Sequence, residues 1–475
     1  MTRSKGGKRV AIVGAGIFGL SLAVALNRKG HHVTIFDQYA YDQTGYQPSE
    51  SDRKLVASID HNKIFRASYG KKIAYQQLAL ESRKQWLLIN EEIGAEQSRA
   101  FVPCGMLRVQ ATSELSALEK ETLASMERDG IRDTQFVKGD PNDRQRATDL
   151  GWGNKLLDFA IPADDEGRSF EAVLDSLAGF TRSSDGCAYY QELAKHEGVQ
   201  FCLGEKQGCF ASLIETTREG RKKATGLKTA DGNVHEADTV VIAAGSFSTQ
   251  LLPDLSYHIE SSAGSIATFK IDNGNEALWN KYSPERFPVM TWKSAPRNKD
   301  GKDIGSVYVF PRTPDGLIKI GYRGVKFTNF EPAPENVPFT QHGKWSIPLP
   351  PADCKNIPDA AADAVRNFVS IFLPEFKDAP FHATHMCWYT DTLDNSFLID
   401  YVPTYANDSV FVCTGGSGHG AKFMPVLGDH AADIFENKMR ATTPMYEHWH
   451  WREDAPRRNG LEEGPGGPRD IGSVA

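Results

Sequence analysis

RVAIVGAGIFGLSLAVALNRKGHHVTIFD, running from Arg9 to Asp37, sets in order a short apolar run, a glycine turn, an apolar helical pattern and a β-rich run that ends on an acid. This is the order of a dinucleotide-binding βαβ unit. Gly14 permits the tight turn, Gly16 lets backbone approach a pyrophosphate, and Gly19 lets the helix lie close on the strand. The helix N-terminus offers unpaired N–H groups and partial positive charge to the phosphates. Asp37, 18 positions past Gly19, stands where an acid accepts hydrogen bonds from a ribose hydroxyl. An acid there, rather than Arg, argues against NADP.

A secretory signal peptide is the rival identity for the same residues. Arg3, Lys5, Lys8 and Arg9 precede 17 uncharged residues, Val10 to Leu26, and Ala23-Val24-Ala25 imitates a cleavage site. Glycines at fingerprint spacing inside the apolar run, with a strand and an acid following, favour the nucleotide unit. The run is also short of the ~20 residues a membrane helix needs. We expect a soluble, cytoplasmic protein with no membrane partner.

The 475 residues suggest two or three domains. Hydrophobic residues at 40% and charged ones at 24% are ordinary for a globular chain. A net charge of −7 gives no reason to expect nucleic acid. The seven cysteines are dispersed without a CxxC pair, so neither a disulfide framework nor a metal site is expected.

Beyond Asp37, residues Gln38 to Asp60 are too rich in Gly, Pro, Ser, Asp and Gln for a packed element. A helix is expected over Ala74 to Ile93, a strand over Phe101 to Val109 and an amphipathic helix over Ser113 to Asp129. A helix over Tyr189 to His196, a strand over Val199 to Leu203 and a β-meander over residues 209–237 then lead into DTVVIAAGSFSTQLL, Asp238 to Leu252. Its Ala-Ala-Gly end suits a second approach of backbone to the dinucleotide. Residues 260–381 are strand-rich and suggest an antiparallel sheet flooring a substrate site, with a helix over Pro358 to Phe372 behind it. SVFVCTGGSGHGAKFMPVLGDHAADIFEN, Ser409 to Asn437, is again strand, glycine loop and helix. The tail, 454–475, has no periodicity and is expected to be disordered; it ends Gly-Ser-Val-Ala, unlike a peroxisomal address.

Several cations stand out. In Leu317 to Arg323 the period of two places Lys319, Gly321 and Arg323 on one face, either a polar cavity or a solvated sheet surface. Lys422 falls where a helix should begin, a position that disfavours cations, so a substrate carboxylate or an anionic flavin would compensate it; a lysine reaching solvent is the alternative. Lys63 and Arg66, three apart in NKIFR, would share one side of a helical turn, and Arg suits bidentate carboxylate binding. His419 is either a ligand contact or a hydrogen-bonded structural histidine. Spacing alone does not single out Cys387.

The order GAGIFG, NKIFRASYG, VVIAAGSFSTQLL, GLIKIGYR, CWYTDTLDNSFLID, GGSGHGAKF resembles the monomeric sarcosine oxidase family of flavoenzymes, most closely its fungal branch of fructosyl amino acid oxidases (amadoriases) and saccharopine-type oxidases. The resemblance implies an α/β (α+β overall) fold: a Rossmann-like FAD-binding domain of the p-hydroxybenzoate-hydroxylase type and an antiparallel-sheet substrate domain. It implies FAD linked through Cys387 by an 8α-S-cysteinyl bond, oxygen activation by Lys319, and substrate carboxylate binding by Arg66 and Lys422. Lys63 stands where relatives have Lys or Arg. Gly14, Gly16, Ile17, Phe18, Gly19, Asp37, Ser51, Lys54, Gly245, Gly416, Gly418, His419 and Gly420 would also contact the cofactor. Arg323 departs from the histidine of sarcosine oxidase and suggests a larger or more anionic substrate. Amadoriases usually carry Arg at the position of His419, a second departure.

The expected protein is therefore a monomeric FAD-dependent oxidase of a secondary amine, an N-substituted amino acid, making an imine and hydrogen peroxide from the small-molecule amine and molecular oxygen. A flavin-dependent amine dehydrogenase using another acceptor, or a flavin-binding protein without turnover, are the alternatives. We expect the FAD-binding domain to comprise 1–95, 165–255 and 384–450, and the substrate domain 96–164 and 256–383.

Overall fold

The strand Arg9–Val13 lies in the interior of a six-stranded sheet whose order is Leu398–Tyr401, Val410–Thr414, Thr239–Ile242, Arg9–Val13, His32–Asp37 and Gln200–Leu203. The computed structural model describes residues 7–48, 56–94, 99–160, 169–293, 306–453, 455–457, 461 and 463–474. Neighbouring strands are parallel except the edge strand Leu398–Tyr401. Covered on both faces, the inner strands consist of near-continuous apolar residues, as parallel sheets require. The helices Ile17–Arg28, Ser183–His196 and Met424–Asn437 pack on one face. A three-stranded antiparallel sheet, Phe210–Arg218, Arg221–Thr229 and Val234–Glu236, packs on the other. The first and last of these helices touch closely: Ser21 Oγ donates to the Met424 carbonyl and accepts from Gly428 N–H at 2.8 Å.

A second, eight-stranded sheet runs Ala383–Thr392, Ile259–Lys270, Leu317–Phe327, Ser306–Val309, Val289–Lys293, Met106–Val109, Ala172–Asp175 and Gln135–Val137. It is antiparallel except where Val289–Lys293 meets Met106–Val109. The helix Asp359–Phe372 buries Ala361, Val365, Phe368, Val369 and Phe372 against it, a stripe at helical spacing. A small sheet of Lys63–Phe65, Gly179–Thr181 and Phe101–Val102 completes the site's surroundings.

Four sequence expectations are corrected. Lys63 to Arg66 begin as a strand paired with Gly179–Thr181, not as a helical turn. Phe101 to Val109 form two strands in different sheets, because Pro103 lacks an N–H and Gly105 turns the chain at φ +80°. Gln38 to Asp60 are partly packed: Tyr41 and Tyr46 are buried and stacked 4.1 Å apart, and the Tyr46 hydroxyl donates to the Ala15 carbonyl at 2.7 Å. The described part of the tail is ordered. Leu461 is buried, and Thr328 bridges Asp470 in parallel, so local composition is overridden by a docking surface.

Candidate active site

The two sheets meet across one cavity of about 1140 Å³, larger than the ~300–1,000 Å³ usual for a single small-ligand site. Its lining includes Gly14, Gly16, Ile17, Phe18 and Asp37, and also Lys319, Cys387 and Lys422. Residues hundreds of positions apart thus share one space. Ser51 and Lys54 lie outside the described residues.

At the nucleotide end, Gly14 has φ +113°, and a Cβ on it would sit 2.4 Å from the Ala243 carbonyl oxygen. The Ala243-Ala244-Gly245 strand end therefore closes on the glycine turn, and both line the cavity. The helix Ile17–Arg28 has no side-chain cap and no acid in its first turn. Its end is open to an anion, while Ser58 Oγ accepts from Ile17 N–H at 3.2 Å. Both oxygens of Asp37 accept backbone N–H groups, Ala15 at 2.8 Å and Tyr39 at 2.9 Å, so the acid braces the turn it follows. Gly19 packs against the Gly14 carbonyl.

At the other end, Lys319 is 2% exposed. Of the two sequence alternatives, the cavity holds. Its Nζ donates to Asp60 Oδ1 and to the Asn62 carbonyl, the latter at 2.8 Å, while Lys63 Nζ donates to Asp60 Oδ2 at 2.5 Å. One carboxylate bridges two lysines. Burial alone would raise the Asp60 carboxyl, but Lys319 and Lys63 overcome it and hold it well below the usual carboxylate range. Burial lowers Lys319, with Asp60 opposing, and Lys63 is raised because Asp60 outweighs its burial. Cys387 lies on Ala383–Thr392 opposite Gly264 and is an electrostatic neighbour of Lys63, Lys319 and Tyr308.

Arg66 and Lys422 converge on Tyr69, the guanidinium carbon 4.8 Å and the ammonium 4.9 Å from the ring centroid. Among the described residues neither forms an ion pair. The Lys422 carbonyl accepts Ser82 Oγ at 2.5 Å and Trp86 Nε1 at 2.7 Å, so the helix Ile73–Ile93 fixes this lysine just before Met424–Asn437 begins. Burial, then repulsion from Arg66, drives its ammonium well below the usual lysine range. His419 donates from Nε2 to the Asn395 carbonyl at 2.9 Å, an assignment made from the neighbours that leaves Nδ1 to accept the Tyr69 hydroxyl at 3.1 Å. Burial, then Lys422, keeps it neutral. This is the structural alternative for His419, although the ring also lines the cavity.

Arg323 stacks on Tyr389, 5.0 Å from its centroid, and donates to the Gly418 carbonyl at 3.1 Å. Gly418, at φ +69°, leaves room that a Cβ would take: the atom would fall 2.3 Å from Arg323 Nη1. Gly416 and Gly420 face Phe18 in the same loop. Sequence reasoning missed Asp60, Tyr308 and the buried Arg108, whose Nη2 meets Glu119 Oε1 at 2.6 Å and whose Nη1 meets Asp175 Oδ2 at 3.2 Å. The Asp-x-x-Lys spacing of Asp60 and Lys63 was the available signal. In all, seven Lys and Arg residues line the cavity against three carboxylates, a lining that favours anionic groups.

A glycine turn on a parallel sheet, facing a cation-rich antiparallel sheet across a shared cavity, defines an oxidoreductase that carries a dinucleotide cofactor. The chain belongs to the DAO family of FAD dependent oxidoreductases, whose family model matches residues 9–434. It is 28% identical to L-saccharopine oxidase of Schizosaccharomyces pombe over 94% of both chains. It is 24% identical to a monomeric sarcosine oxidase of Bacillus sp., over 92% of this chain and 94% of that one. Its fold matches a modified fructosyl peptide oxidase from Aspergillus nidulans with TM-score 0.77, 24% identity and 99% coverage of both chains. The residues present fit FAD: the Cβ-free turn at Gly14, a helix start without an acid in its first turn and one cavity that runs from that turn to Cys387 make a cradle for it. No helix among the described residues is long and apolar enough to cross a membrane.

Proposed function

We propose that this chain is an FAD-dependent oxidase of a secondary amine, an N-substituted amino acid, acting as a monomer, with Cys387 as the covalent 8α-S-cysteinyl attachment point of the cofactor. The convergence on Tyr69 of Arg66 and Lys422, neither of them in an ion pair among the described residues, in the cavity that also holds the Lys319–Asp60–Lys63 bridge and Cys387, carries the proposal. Similarity to relatives named for saccharopine, sarcosine and N-methyl-L-tryptophan oxidation supports it. FAD, when bound, supplies the acceptor for a hydride from the carbon next to nitrogen and passes the two electrons to oxygen, giving imine and hydrogen peroxide.

Arg66 and Lys422 hold the amino acid carboxylate and thereby orient the carbon that is oxidised, an effect of several kcal/mol where geometry is fixed. Arg323 presents a further cation beside the Gly418 loop to a substrate larger or more anionic than sarcosine. Lys319 places positive charge where oxygen gains electrons. We place the FAD-binding domain at 1–95, 165–255 and 384–450, and the substrate domain at 96–164 and 256–383, with Ala172–Asp175 and residues 384–392 of the former built into the eight-stranded sheet of the latter. Incubation of the FAD-loaded protein with N-methyl amino acids, saccharopine, pipecolate and fructosyl amino acids should yield peroxide with at least one. Dye reduction without peroxide would mean a dehydrogenase, and a colour that no amine bleaches would mean a protein without turnover.

Lys422 gives the carboxylate site a pH dependence. Only its ammonium form attracts an anion, and its pKa is well below the usual lysine value. Affinity for a simple carboxylate such as acetate, read from the flavin absorption band, is expected to fall about tenfold per pH unit above that pKa. Lys422→Arg should flatten this limb, because a guanidinium stays charged. An unchanged limb in that variant rules the lysine out as its source.

A further inference from the structure

The strand Leu317–Phe327 pairs regularly with Ile259–Lys270 up to Ser265–Tyr322, and pairing resumes at Ala263–Phe327. Between these pairs the single residue Gly264 faces Arg323, Gly324, Val325 and Lys326. Strict alternation would send residues 323 and 326 to opposite faces. The bulge instead lets both line the cavity. A bulge gives up ladder hydrogen bonds, so its shape must be held by something else.

We propose that Arg469, in the segment 463–474, is a positioning residue that clips this bulge to the sheet and so aims Arg323 and Lys326 into the substrate cavity. The inference rests on reading that cavity as the substrate site. Arg469 is 9% exposed and donates in three directions: from Nη1 to the Lys326 carbonyl within the bulge at 3.0 Å, from Nη2 to Glu260 Oε1 on the adjoining strand at 2.6 Å, and from Nε to Glu463 Oε2 at 3.0 Å. Its own backbone is tied down. Thr328 N–H donates to the Arg469 carbonyl and Ile471 N–H to the Thr328 carbonyl, both at 2.8 Å. Glu260 is the cross-strand partner of Asp391, and Asp391 Oδ1 accepts Lys326 Nζ at 2.7 Å. The clip therefore grips the bulge by its backbone while Asp391 grips it by its side chain. At the far end, Arg323 reaches the Gly418 carbonyl and with it the loop of Lys422. Loss of the guanidinium frees the Lys326 carbonyl and leaves the Glu260 carboxylate without this donor, and both changes fall on the bulge.

The test compares Arg469→Ala and Arg469→Lys in the full-length, FAD-loaded protein. Hydrogen exchange of peptides covering residues 322–330 should rise about tenfold in Arg469→Ala, with peptides of the glycine turn unchanged, and should be largely restored in Arg469→Lys. With the amine found by the peroxide screen, KM should rise about tenfold at nearly constant kcat. In an Arg323→Ala background the added KM penalty should shrink to the part carried by Lys326, because the clip acts through both residues. Exchange that rises everywhere, or not at all in 322–330, overturns the clip. A KM that stays constant while exchange is local overturns its role in aiming Arg323. Absence of turnover with every amine counts against the proposed function, and the exchange pattern then decides the clip alone.

Discussion

Lys319→Met is expected to slow reoxidation of the enzyme by oxygen about 10²–10³-fold, the effect of removing one preorganised group from a developing charge, while anaerobic reduction by the amine changes little. The physical reason is the setting of the ammonium. Nζ is fixed by Asp60 and by the Asn62 carbonyl, so its charge is aimed before oxygen arrives. The ammonium is buried, and charge interactions there are stronger than in water. Methionine keeps the length and apolar stem but carries no charge. Asp60 remains paired with Lys63, so no carboxylate is stranded and the fold should survive. Stopped-flow mixing of the reduced enzyme with oxygen reads the rate directly, and an unchanged rate removes Lys319 from the oxygen step. Amine-dependent reduction that falls as far as reoxidation would place the lysine on the substrate instead.

Acid denaturation should leave the yellow colour on the polypeptide of the wild-type protein, and Cys387→Ser should release it to the supernatant. The change expected is nearly complete, since a thioether survives acid whereas binding by fold alone does not. Cys209 and Cys413 also line the cavity, so they are the informative controls. Cys209 neighbours Asp37 at the nucleotide end, and Cys413 is fully buried in the parallel sheet. Cys387 is set apart by its place beside Lys63, Lys319 and Tyr308, on a strand whose next residue, Trp388, is anchored to Cys354 Sγ at 3.2 Å. The variants Cys209→Ser and Cys413→Ser should keep the colour. Release from freshly purified wild type, or retention in Cys387→Ser, would refute the link.

Much of the site was legible because its parts obey local rules. The glycine turn, its helix and Asp37 announce themselves by spacing within one βαβ unit. Alternation in Leu317 to Arg323 put Lys319 and Arg323 on one face, and the motif order added Cys387, Arg66 and Lys422. Only the three-residue spacing of Asp60 to Lys63 was legible; its second partner, Lys319, lies 259 residues away, and the stretch around Asp60 reads by composition as loop. The strand at Lys63 was misjudged for a related reason. Its partner, Gly179–Thr181, lies more than a hundred residues away, and a short segment takes its structure from what it pairs with.

By itself the sequence determined the nucleotide-binding unit and the family, and it singled out Lys63, Arg66, Lys319, Arg323 and Lys422 as candidates, since each depends on turn geometry, periodicity or motif order along the chain. Only the tertiary structure decided which carboxylate joins Lys319 to Lys63, that Arg323 and Lys326 enter the cavity together from a bulge, and that the described part of the tail is held by Arg469 and Asp470. Those outcomes hang on pairings between distant segments, where burial makes an ion pair or a backbone hydrogen bond count and no spacing in the chain records it.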